Sequence, residues 1–138
     1  MLRFLILICL SLIVAPSYAD AIIANPQLHL AKVISIEEAR DIFLLKKTQS
    51  NGINIQIFLF PKEVSFTKQF LIDSLTITPT SYFDALDRFA SEGKQNLPII
   101  INSDIKMIIS IENNSGGVGF IRDTSYIDPN NIDILIIK

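Results

Sequence analysis

The chain has 138 residues, a mass of 15.5 kDa and a formal net charge of −2, with 49% hydrophobic and 19% charged residues. That length suits one domain and is long enough to bury a core without disulfide staples. The composition excludes a collagen, a disordered tail and a coiled coil. The acidic balance with scattered charge excludes a nucleic-acid binder, which needs a basic patch.

Arg3 is the only charge before Asp20, Phe4 to Val14 is apolar except for Ser11, and Ala15-Pro16-Ser17-Tyr18-Ala19 follows. A positive start, a short apolar run and small residues before a cut form a secretory signal pattern. Residues 1–19 are expected to be a signal peptide cut after Ala19; a cut after Ala21 also fits the small-residue rule. An uncleaved anchor is the alternative, but the run falls short of the ~20 residues that span hydrocarbon. Residues 20–138 are then expected to be periplasmic or secreted, with no stable membrane span. Cys9 lies inside the apolar run, so the exported part has no cysteine and relies on its core alone.

Ala21 to Ala24 reads as a short strand stopped by Asn25-Pro26, because proline lacks a donor and restricts its predecessor. Residues 27–34 read as a loop. Ser35-Ile36-Glu37-Glu38 forms a capping box, and Ile36, Ala39, Ile42 and Phe43 share a face, which predicts a helix over 36–45. Asn51-Gly52 is a turn, and Ile53 to Leu59 is a strand buried on both faces at its far end, closed by Pro61. Val64, Phe66, Phe70, Leu71 and Leu75 recur at helical spacing. Thr78-Pro79 starts another helix with Tyr82, Phe83, Leu86, Phe89 and Ala90 as its inner stripe, ended by Gly93.

Leu97 to Ile101 contains Pro98 and reads as a short or edge strand. Asn102-Ser103 opens a helix expected to bury Ile105, Ile108 and Ile109; Asn113 to Gly117 breaks it. Val118 to Ile121 and Ile132 to Ile137 are strands joined by a polar loop. Strands separated by helices predict an α/β fold with a mostly parallel or mixed sheet covered by helices on both faces.

The stretch from Ile34 to Thr48, ISIEEARDIFLLKKT, resembles the LSLEEVRDIFLGK-type segment of phosphate ABC transporter substrate-binding proteins. Gly116-Gly117-Val118-Gly119-Phe120-Ile121 resembles their PGAIGYV strand, and Thr78-Pro79 through Phe83 resembles their SP-initiated helix. The resemblance spans residues 21–138 and implies a type 2 periplasmic-binding-protein-like fold, shortened to a single lobe over 20–138. It also implies a non-catalytic binder of phosphate or another small oxyanion, for transport or sensing. Several positions depart from the family. Pro61 stands where it has the anion-binding Arg, Phe66 where it has a glycine and Leu45 where a glycine follows the helix, and the following Trp is either missing or replaced by Ser50.

Four residues are candidate ligand-binding positions. Ser65 and Thr67 match the family's hydroxyl positions at a helix start, where unpaired N–H groups favour an anion, and Lys62 adds a mobile positive charge. Asn25 follows the first strand, and ligands in open parallel sheets sit beyond carboxyl strand ends, so it is expected to face the same crevice. The competing structural readings are a simple helix cap for Ser65 and a turn asparagine for Asn25. Gly116, Gly117 and Gly119 lack a following Lys-Ser/Thr and precede a strand, so they read as close packing, not as a phosphate loop. His29 is the sole histidine, which leaves no metal cluster, catalytic triad or cofactor to expect, and it reads as an exposed loop residue. Asp84 and Asp87 read as a solvated face. A protein-interaction module with an envelope partner or a second copy of itself is the alternative function.

Overall fold

The computed structural model describes residues 21–138, so the expected signal peptide lies outside the described residues. The strands are β1 (Ala21–Ala24), β2 (Val33–Ile34), β3 (Gln49–Ser50), β4 (Ile53–Asn54), β5 (Gln56–Leu59), β6 (Ile99–Ile100), β7 (Gly117–Ile121) and β8 (Asp133–Ile137). The helices are α1 (Ile36–Phe43), α2 (Ser65–Gln69), which runs on as a π turn over Phe70–Ser74, α3 (Pro79–Ser91) and α4 (Asp104–Glu112). Six strands form one sheet in the order β2-β8-β1-β7-β5-β6, while β3 and β4 make a separate hairpin. β2–β8, β5–β7 and β5–β6 pair in parallel, and β1 alone runs against its neighbours β7 and β8. The mostly parallel α/β sheet expected from the sequence is the observed fold.

Local chemistry sets most helix starts. The Ser35 hydroxyl accepts from the Glu38 N–H at 3.1 Å, Thr78 from Ser81 at 3.3 Å, and Ser103 from Lys106 at 3.2 Å. The Ser35 box is half formed, because the Glu38 carboxylate pairs with Lys47 at 2.9 Å. Leu45, past the end of α1, has φ 60, a left-handed conformation that glycine adopts without strain. Its side chain is buried, and that burial offsets the cost of holding a leucine there. The segment read as loop over 27–34 contains a 3-10 turn at Pro26–Leu28 and the strand β2. β2 exists because Val33 and Ile34 pair with Ile136 and Ile137, a long-range partnership with no local signature.

Side chains alternate across β7, and the two faces differ sharply. Phe120 stacks on Phe70 at 4.0 Å and meets Phe43, Phe60 and Phe66 edge-on at 6.3, 5.5 and 5.2 Å. This face is covered by α1, α2 with its π turn, and α3, whose buried Tyr82 donates its hydroxyl to the Phe43 carbonyl at 3.0 Å. Burial raises the Tyr82 pKa, so the phenol stays a neutral donor. Gly117 and Gly119 form the opposite face, against Ile111 and Met107 of α4.

α4 corrects one expectation. The structure buries Met107, Ile108 and Ile111, whereas Ile105 and Ile109 are 68% and 49% exposed. The glycine notch in β7 selects the Met107–Ile111 stripe, which the helix's own apolar pattern does not single out. On α3, Tyr82 and Ala85 are buried, Phe83, Leu86 and Phe89 are half-buried, and Ala90 is exposed. β6 is an edge strand, as Pro98 suggests.

A side chain at Gly119 would meet Met107 Sδ at 2.7 Å, a flexible group, whereas one at Gly116 would strike the Asn54 carbonyl oxygen, a backbone atom. Urea unfolding of Gly119→Ala is expected to show a loss of about 1–3 kcal/mol, with a larger loss for Gly116→Ala. Equal stability of both variants and the parent would refute this packing.

Candidate functional site

The connections around β5 locate a crevice. α2 leaves the carboxyl end of β5 toward the Phe120 face, while α4 leaves the adjacent, parallel β6 toward the glycine face. Adjacent parallel strands whose helices depart to opposite faces mark a topological switch point, where open α/β sheets bind ligands. The residues after β5 therefore border the crevice, and Arg122, the first residue after parallel β7, reaches the same sheet edge.

Three of the four expected site residues gather here. Lys62, between β5 and α2, and Ser65, the first residue of α2, are exposed. Thr67 is 1% exposed and donates its hydroxyl to the Pro61 carbonyl at 2.9 Å, so it shapes the loop and is not presented to a ligand. Asn25 is not brought to this crevice. Because β1 runs antiparallel, its end lies at the amino ends of β5 and β7, where the Asn25 N–H donates to the Gly117 carbonyl at 2.9 Å. The Asn25 amide is buried, donates to Ile111 O at 3.0 Å and accepts from Gln27 N at 2.9 Å, so its groups are spent on structure.

Sequence reasoning missed Arg122, which sits in a segment that reads only as polar loop. The structure holds its guanidinium 4.7 Å over the ring of Phe66, the residue after Ser65 in sequence. No local signal marks it; only the β5–β7 pairing brings it to Phe66. Phe66 itself is buried against Phe60 at 4.8 Å, filling the place where the resembled family has a glycine.

α2 differs from the other helices in its start. Val64 occupies the cap position without a side-chain acceptor, whereas α1, α3 and α4 are capped by Ser35, Thr78 and Ser103. His29 is an exposed residue with φ 50 after the 3-10 turn. Among the described residues, no three His, Cys, Asp or Glu side chains cluster to hold a metal, and no helix is long and apolar enough to cross a membrane.

No family model matches the chain, and no curated protein matches its sequence. Its fold is similar to that of a phosphate ABC transporter substrate-binding protein from Clostridium perfringens solved with bound phosphate (TM-score 0.61, 15% identity, covering 86% of this chain and 44% of that one). It is also similar to an ABC-type phosphate transport receptor from Vibrio cholerae (0.57, 16%, 86% and 45%) and to PstS from Borrelia burgdorferi (0.58, 15%, 87% and 47%). The chain spans less than half the length of each. The periplasmic-binding-protein-like fold implied by the resemblance is thus the fold observed.

Val64→Ser supplies the missing cap on a partly exposed residue. It is expected to raise stability by about 1 kcal/mol in urea unfolding, within the usual range for such caps. A loss of stability would show that the first amides of α2 are already satisfied.

Proposed function

We propose that the chain is an exported, non-catalytic solute-binding domain that takes a small oxyanion such as phosphate at the carboxyl end of β5. One observation carries the reading: Lys62 and Ser65 stand exposed where the chain leaves β5 at the topological switch point, and Arg122 follows the parallel neighbour β7 at the same sheet edge, with its guanidinium over Phe66. Cations from separate elements, fixed by one sheet, suit an anion better than a neutral solute. The likeness to proteins of phosphate transport, one of them with phosphate bound, supports the same class of ligand.

Calorimetry and thermal shift with phosphate and sulfate test the proposal. Binding at millimolar anion is expected, weakening with added salt. Arg122→Ala and Lys62→Ala are each expected to lower affinity about fivefold, the upper range for exposed charge pairs. Absence of binding by folded protein, or binding indifferent to both substitutions, would overturn it.

Export follows from the signal pattern before Asp20. Ala21 is the first residue of β1 and pairs with Ile121, so a cut after Ala19 preserves the full strand and a cut after Ala21 removes its first rung. N-terminal sequencing of the secreted form is expected to begin at Asp20; recovery of intact Met1 or Leu2 would contradict export by cleavage.

A further inference from the structure

The geometry points to a zwitterion as the solute taken beside Lys62: an oxyanion that also carries an ammonium group, of the 2-aminoethyl phosphate type. The inference rests on the oxyanion reading and specifies its substrate class. A groove of about 350 Å³ opens beside Lys62, between the start of α2 and the first turns of α3; it shares Lys62 with the proposed oxyanion site, while Ser65 and Arg122 do not line it. Lys62 and Lys68 line one side. On α3, Thr80, Phe83, Asp84 and Asp87 follow the i, i+3, i+4, i+7 spacing of one helical stripe, and that stripe lines the groove. Asp84 and Asp87, which the sequence alone presents as a solvated face, are thus placed on a wall.

The opposite charges are present but not joined. The ion pairs among the described residues are Lys47–Glu38 and Arg88–Glu92, and neither involves the groove. Two ammonium groups and three carboxylates, those of Glu63, Asp84 and Asp87, therefore line one space without neutralising each other directly. A bare dianion is attracted by Lys62 and Lys68 and repelled by Asp84 and Asp87, with Glu63 adding to the repulsion. A simple cation meets the reverse. A short molecule with an anionic and a cationic end satisfies both sets, and Pro79 and Phe83 give its methylene spacer an apolar surface.

Calorimetry on the purified protein with 2-aminoethyl phosphate, ethyl phosphate and inorganic phosphate separates the two readings. The amino ester is expected to bind at least about fivefold tighter than ethyl phosphate, from the added charge pairing. The double variant Asp84→Asn, Asp87→Asn is expected to bring those two affinities together and to raise that for inorganic phosphate. Both positions are exposed, and melting curves confirm folding. Equal binding of the two esters by the parent protein would overturn the zwitterion and leave the oxyanion reading standing. Failure of all three to bind would overturn the oxyanion reading itself.

Discussion

The fold turns on a strand that carries Phe120 on one face and two glycines on the other. On β7, Phe120 sits at the centre of a cluster with Phe43, Phe60, Phe66 and Phe70, while Gly117 and Gly119 leave room for the α4 stripe of Met107 and Ile111. Aromatic pairs of this kind contribute roughly 0.5–1.5 kcal/mol beyond their buried area. The glycine face lets α4 lie close, and α4 is the connection that returns the chain from β6 across β5 to β7. β5 thereby acquires parallel neighbours on both sides and helices leaving toward opposite faces. The crevice at its carboxyl end is a consequence of how β7 packs.

Much of this was legible because it is local. Ser35, Thr78-Pro79 and Ser103 announce helix starts through hydrogen bonds that span three residues, and the structure contains each of them. Asn51-Gly52 marks the β3–β4 hairpin, with both residues at positive φ. The reading of Gly116, Gly117 and Gly119 as close packing also held, since a side chain at any of them would collide with α4 or the backbone. In each case a residue's own conformational or hydrogen-bonding limits carry the information.

What escaped the sequence depends on partners far along the chain. The direction of β1 is set by its pairing with β7 and β8, and a short apolar run has no intrinsic direction, so Asn25 was assigned to the wrong edge. The buried face of α4 is chosen by the shape of β7; isoleucines at Ile105, Ile108, Ile109 and Ile111 surround too much of the helix for periodicity to decide. Arg122 lies in polar loop and gains meaning only from its place above Phe66. In all three the missing quantity is which distant segment each one packs against.

Phe66 also changes the physics available for holding an anion. A glycine at that position would let backbone N–H groups approach an oxyanion and use fixed dipoles. Phe66 closes that approach and instead presents its ring to the Arg122 guanidinium at 4.7 Å, with its other contacts in the buried Phe60–Phe120 cluster. On the proposed reading, recognition would rest on side-chain charges instead of backbone dipoles; Arg122 and Lys62 are both solvent-exposed and so open to ionic screening. Charge recognition by exposed side chains discriminates by the total charge pattern of the solute more than by its shape. In a groove where Asp84 and Asp87 face the lysines, that pattern includes a positive centre as well as a negative one.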